Sequence, residues 1–229
     1  MPMRRSSQAA GWIDVTRPIG PGLPIYPGDP PPVLATERRD GTQIVYLSLT
    51  THTGTHLDLP RHVLPAGRRP TDREILGALN GPAVVIHLPG LCGKAIPLDL
   101  LRHALGGARR PPSRLLLRTD PRGSSVWSGL DADAAAWLAG RAALVGTDAL
   151  SIDPPGERLD AHRILLRAGT LIVENLHLAA VKASRYTMWS LPIKLQTSDG
   201  APLRVLLGKS KSKNTSERPE RSQEDGGTR

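Results

Sequence analysis

The sequence has no phenylalanine, a single cysteine at position 92, and nowhere the ~18 consecutive apolar residues that a membrane-spanning helix needs. Each shortage closes off a class of protein. One cysteine forms no intrachain disulfide, which excludes a disulfide-stapled secreted scaffold and points to a reducing compartment, the cytoplasm. Residues 1–11 begin with basic character but lack the apolar stretch of a signal peptide, so no export signal is expected there. Four Trp and three Tyr are all the aromatic residues in 229, too few for a row of stacking platforms under single-stranded bases. The formal net charge of +9 does not restore that reading, because the tail 209–229 and the pair Arg4 and Arg5 contribute +2 each and the other arginines are scattered. Neither a nucleic-acid partner nor a membrane partner is expected.

Turn-forming residues are plentiful. The 22 Pro and 23 Gly punctuate short runs rich in Val, Ile, Leu and Thr, which predict strands at 43–51, 83–87, 114–118, 143–145, 171–174, 185–191 and 203–207. Helical signals are fewer: Asp131 can cap the Ala-rich stretch 132–140, and 97–105 reads as a second short helix. From Lys209 onward no residue is apolar, so the tail has no surface to bury against the entropy of ordering. The expectation is one strand-dominated α/β domain over residues 12–208, between a flexible N-terminus (1–11) and a disordered tail (209–229), without internal repeats. Loops held by proline and glycine are where such a domain carries its binding residues.

Residues 52–62 read His-Thr-Gly-Thr-His-Leu-Asp-Leu-Pro-Arg-His, with three of the seven histidines where an even spread would place about a third of one. His52, His56, Asp58 and His62 all fall on even positions and would project from one face of an extended chain. A straight strand still cannot gather them. At ~3.3 Å per residue its ends would lie ~33 Å apart, whereas metal ligands sit ~2 Å from their ion. The segment must fold back, and Gly54, free to take positive φ, and Pro60, with φ fixed, are placed to let it. Entered from the predicted strand 43–51, it would form a ligand loop. Imidazole and carboxylate without a local cysteine suit Zn²⁺, or a neighbouring ion such as Mn²⁺. Three local ligands leave a coordination position open, with the fourth group, His62, serving as acid and base. On spacing alone, a loop of surface histidines with a turn-stabilising aspartate competes equally. Asp160-Ala161-His162 and Glu174, which ends the apolar run 171–173, tip that balance, since His162 and Glu174 would complete a second metal position.

These residues resemble the HxGTHxDxPxH signature of the metal-dependent cyclase and hydrolase family, which includes bacterial kynurenine formamidase, isatin hydrolase and certain polyketide cyclases. The resemblance spans the folded unit. Pro24-Ile25-Tyr26-Pro27-Gly28-Asp29 is similar to the family's substrate loop and 145–154 to its Gly-x-Asp-x-x-Ser-x-Asp segment; Asp160-Ala161-His162, Val173-Glu174-Asn175-Leu176, 191–195 and 199–204 follow in order. The compact body is most similar to the short kynurenine formamidases.

That resemblance implies the swivelling β/β/α fold, one or two divalent ions and a homodimer. It implies that His52, His56 and Asp58 hold the first metal, that Asp58 bridges to a second held by His162, and that Glu174 touches both. His62 matches the family's proton donor and acceptor, and Tyr26 a substrate-contacting aromatic. The implied reaction converts a small-molecule aryl formamide, N-formylkynurenine in the parent reaction of tryptophan catabolism, to formate and an aryl amine. A metal-bound water attacks the formyl carbon and His62 delivers a proton to the departing nitrogen. Arg61 is a candidate to attract a substrate carboxylate, while His87, His103 and His177 read as structural or surface residues. Tyr26 stands where the formamidases carry Trp, and Leu59, Arg61, Val63 and Asp120 also depart from the family pattern near the expected pocket, which leaves the substrate open. A lactamase like isatin hydrolase, or a biosynthetic cyclase, is the alternative on the same scaffold. A metal-stabilised binding protein without catalysis is the alternative of another class.

Overall fold

A computed structural model describes residues 11–91, 93–121, 126–156, 158–196 and 199–209. Cys92 and the terminal segments 1–10 and 210–229, which include most of the expected flexible ends, lie outside the described residues. In chain order the elements are β1 (Trp12–Asp14), β2 (Val33–Arg39), β3 (Thr42–Ser48), β4 (His56–Asp58), a 3₁₀ turn (Pro60–His62), α1 (Asp72–Leu79), β5 (Gly81–His87), α2 (Leu98–Ala104), β6 (Arg114–Arg118), α3 (Ala132–Leu138), β7 (Leu144–Thr147), α4 (Asp160–Arg167), β8 (Leu171–Glu174), β9 (Ser184–Pro192) and β10 (Gly200–Lys209).

Seven strands close into a barrel. β5, β6, β7 and β8 run parallel, with α2, α3 and α4 in the crossovers between them. β4 lies antiparallel to β8. β10 then pairs with β4 through Gly200–Pro202 and with β9 through Leu203–Lys209, and β9 returns to β5, which completes the ring. β1 extends it along residues 206–208 of β10. The strand-dominated α/β architecture is therefore the one expected from the sequence, in closed form.

β6 shows why these segments are strands. Leu116 faces the barrel interior with Val85, Val173, Met188 and Val205, while Leu115 and Leu117 face outward onto Leu101 of α2, Leu138 of α3 and Leu165 of α4. A strand buried on both faces reads as a continuous apolar run, not as an alternation. Asp131 caps α3 as expected, accepting a bond from the Ala134 amide at 2.7 Å, and α2 starts directly after Pro97. Two further helices were not predicted. α1 is opened by a reciprocal capping box between Thr71 and Glu74, and α4 opens with Asp160 and carries His162 in its first turn.

The predicted strand 43–51 is present as β3 and leads into the loop that carries His52, as expected; it pairs with β2 as a separate hairpin outside the barrel. The cause is local. Asp40 and Gly41, both at positive φ (49° and 77°), form a two-residue turn that matches the twist of paired strands, so the run closes on its immediate neighbour.

Candidate metal centre and active-site cleft

Asp58 is the hub of the site. A single cross-sheet row runs from Val84 through Leu115, Val145 and Ile172 to Asp58, so Asp58 shares the outer face that the helices cover. Leu57, between His56 and Asp58, points the other way into the barrel. His56 lies directly opposite Glu174, the last residue of β8, and shares that outer face. The chain reverses on both sides of β4, through Gly54 at φ 69° before it and the 3₁₀ turn Pro60–His62 after it. This fold-back returns His52 and His62 to one place, their ring centroids 4.1 Å apart. Gly200 leaves room for His52: a Cβ there would lie 2.9 Å from its Cε1.

The fifth ligand candidate arrives on α4. Asp153 holds His162 Nδ1 at 2.5 Å and also accepts from the backbone amides of Ala161 and His162 at 2.7 and 3.1 Å. One carboxylate thus satisfies the open helix N-terminus and orients the imidazole. His162 Nε2 then lies 3.2 Å from Glu174 Oε1 and 3.4 Å from Asp58 Oδ2. On the other side, Asp58 Oδ1 is 2.8 Å from His52 Nδ1 and 3.3 Å from His56 Nε2.

Two triads result, His52/His56/Asp58 and Asp58/His162/Glu174, each with ligand atoms within 4.8 Å of one another. Asp58 Oδ2 and His162 Nε2 are buried without a hydrogen-bond partner. An orphaned buried polar atom costs about 1–3 kcal/mol, so two of them at the point where the ligand atoms converge fit a cation held there. The nitrogen and oxygen donor set suits a divalent ion of the zinc or manganese kind.

The charges follow from this crowding. Burial opposes protonation of His56, but the carboxylates of Asp58 and Glu174 outweigh it and push the ring up to about 9. Burial likewise opposes a charge on His162, and Glu174, Asp153 and Asp58 together hold it well above the ordinary histidine value. Burial would raise Asp58, yet the charge of His56 and the close approach of the His162, His52 and His56 rings keep it well below the usual carboxylate range. His62 behaves in the opposite sense. Burial, reinforced by the neighbouring histidines against the pull of Asp58, lowers it to about 4.

His52, His56, His62, His162 and Glu174 line a cleft of about 210 Å³ together with residues 23–26, Pro30, Pro32, Leu150, Ser151 and Leu159. Tyr26 leans on Trp127, centroids 5.6 Å apart, and the Trp127 indole donates to the Asp153 carbonyl at 2.8 Å. The wall that meets a ligand is thereby tied to the residue that orients His162.

The "Putative cyclase" family model matches residues 13–154. The chain belongs to this cyclase family. It is 31% identical over 211 residues to a kynurenine formamidase of Bacillus cytotoxicus, covering 87% of this chain and 98% of that one. It is 37% identical over 205 residues to a kynurenine formamidase of Paracidovorax citrulli, covering 85% and 94%. The structure of a predicted metal-dependent hydrolase from Bacillus stearothermophilus, 31% identical, superposes with a TM-score of 0.72 over 86% of this chain and 97% of its own. Isatin hydrolase A from Ralstonia solanacearum, 20% identical, shares the fold, with a TM-score of 0.73 over 87% and 92%.

Within this cyclase-family fold, the structure brings His52, His56, Asp58, His162 and Glu174 together, sets the His62 ring beside them, tilted 40° to that of His52, and places Tyr26 in the cleft lining. It does not bring in Arg61, which is exposed and donates from Nε to the Gly67 carbonyl at 3.2 Å; it lies outside the cleft lining. The departures at Leu59, Val63 and Asp120 are likewise not at the pocket. Leu59 packs into the barrel core, Val63 against the helix layer, and Asp120 pairs with His87 (2.5 Å) and Arg118 (2.8 Å) on another surface. Parity and turn chemistry do not foretell which side of a loop faces solvent. Asp153 and Asp199 had been assigned no role. Asp199 accepts from Thr51 Oγ1 at 2.9 Å and stands 3.4 Å from His52 Nε2. Its partner is 147 positions away, and no local pattern encodes that pairing.

Proposed function

We propose that this chain is a metal-dependent amidohydrolase that cleaves the carbon–nitrogen bond of an aryl formamide of the N-formylkynurenine type, releasing formate and an aryl amine. The observation that carries this reading is the convergence of two ligand triads on one buried carboxylate, Asp58, whose companions His52, His56, His162 and Glu174 line a cleft. Kynurenine formamidases 31–37% identical over most of the chain support the choice of bond.

His52, His56 and Asp58 would hold one divalent ion, and Asp58, His162 and Glu174 a second, with Zn²⁺ proposed and Mn²⁺ as the alternative. Such an ion, when bound, supplies Lewis acidity at the formyl oxygen and acidifies a coordinated water toward neutrality. The protein's own groups do the rest. Asp153 keeps the His162 ring in one orientation. His62, held neutral by its surroundings, takes a proton at a ring nitrogen from the attacking water and returns it to the aniline nitrogen as the C–N bond breaks. Hydroxide ends on the formyl carbon and the proton on the amine. Tyr26, backed by Trp127, gives the aryl ring a wall to lie on.

Assays of N-formylkynurenine and isatin, with added Zn²⁺ or Mn²⁺ and with chelator, test the proposal. The formamide is expected to turn over and the chelator to abolish turnover. Full activity of metal-stripped protein overturns the mechanism. Turnover of isatin without the formamide reassigns the centre to a lactamase, and metal binding without any turnover to a binding protein.

We also propose that the chain works in the cytoplasm, as a homodimer. The hairpin β2–β3 exposes Leu34, Val45 and Leu47 on one face and Ile44 and Tyr46 on the other, apolar side chains of the kind a second subunit covers. Sedimentation of a monomer at micromolar concentration would refute the dimer.

A further inference from the structure

The chain carries 30 Lys and Arg against 21 Asp and Glu, yet among the described residues no Lys or Arg lines the cleft. Arginines close in sequence to its walls point elsewhere. Arg17 donates to the Asp148 carbonyl at 3.3 Å, Arg61 to that of Gly67, and Arg158 pairs with Asp160 at 3.0 Å. Away from the candidate metal ligands and His62, the lining is mostly apolar, and among the described residues its one acidic member is Asp29.

Asp29 is placed there by its turn. In Tyr26-Pro27-Gly28-Asp29 the Asp29 amide donates to the Tyr26 carbonyl at 3.0 Å, with proline in the second position and Gly28 at φ 97° in the third, the type II arrangement. The same turn therefore presents the aromatic wall and the carboxylate. Among the described residues, no side chain pairs with that carboxylate.

We infer that this cleft selects, among aryl formamides, those bearing a cationic ammonium group, which Asp29 recognises, and discriminates against those whose added charge is a carboxylate. The inference rests on the hydrolase reading of the centre and deepens it to a class of substrate. A carboxylate drawn against these walls loses hydration without gaining a partner and meets a like charge. An ammonium keeps its hydration on the open side and gains an ion pair. In an N-formylkynurenine-like substrate the ammonium, not the carboxylate, is then the group the wall reads. A partly solvated pair of this kind corresponds to about a fivefold preference.

Three formanilides of matched length test this with zinc- or manganese-loaded protein: one neutral, one with an aminoalkyl chain and one with a carboxyalkyl chain on the ring. Expected kcat/KM falls in the order cationic, neutral, anionic, with the cationic-to-neutral ratio near five and shrinking as salt is raised. Asp29→Asn brings that ratio close to one, and Asp29→Lys brings it below one. Calorimetric binding of the corresponding anilines follows the same order. Turnover of all three with the anionic compound favoured, or with ratios that Asp29→Asn does not move, overturns this inference and leaves the hydrolase reading standing. Absence of turnover for all three, under conditions where the loaded protein is folded, overturns both.

Discussion

His62 and His56 stand in one nest of rings with opposite protonation. Burial takes the first down to about 4, and two carboxylates lift the second to about 9. His62 is thus a neutral ring free to accept a proton, and it belongs to neither ligand triad. His62→Ala is expected to lower turnover by ~10² or more while metal content per chain stays unchanged; loss of metal along with activity would recast His62 as a ligand. For His56 the sign runs the other way. Its folded-state value lies above the ordinary 6.5, so its proton stabilises the metal-free fold below pH 6.5, and that contribution is lost as pH rises toward 9. A metal must displace the same proton. Metal affinity is therefore expected to rise from pH 6.5 to 8.5 in a competition titration with a chromophoric chelator, while the metal-free protein melts at a lower temperature over that interval. Equal affinity at the two pH values would contradict the protonated cluster.

Short elements position these residues because their two faces do different jobs. β4 has three residues, with Leu57 in the core and His56 and Asp58 in the site. α4 is held at its start by the carboxylate that also orients His162, and α3 beside it is closed by Asp131. Asp131→Ala is expected to destabilise the fold by about 1 kcal/mol, read from the urea midpoint, with no change in metal content; a neutral result would mean the α3 cap bears no load. The helix starts differ in how readable they are. Asp131 before an alanine run and the Thr71…Glu74 spacing are both local signals carried by the chain itself. The start of α4 has no such signal, since Leu159 precedes it and its capping carboxylate is Asp153, outside the helix.

The closed barrel is what makes a metal a matter of whole-molecule stability. The candidate ligands come from the turn at His52, from β4, from α4 and from β8, so an ion bound there ties these elements together in the native state alone. At a hundredfold excess over its dissociation constant, a native-state ligand stabilises by ~2.7 kcal/mol, a rise of ~5–10 °C for a chain of this size. Zn²⁺ or Mn²⁺ is expected to produce such a shift by calorimetry, and Asp58→Ala to remove it; a shift that survives the substitution would place the ion elsewhere.

The sequence alone determined the strand-rich architecture, the capped helix at Asp131, and the gathering of His52, His56, Asp58 and His62 by a reversal at Gly54 and Pro60. It could do so because apolar runs, turn residues and clustered ligands act over a few positions. Tertiary structure alone decided that Arg61 turns from the cleft and that Asp153 and Asp199 reach His162 and His52. Those outcomes depend on which distant strands become neighbours when the ring closes, and no local pattern in the chain carries that information.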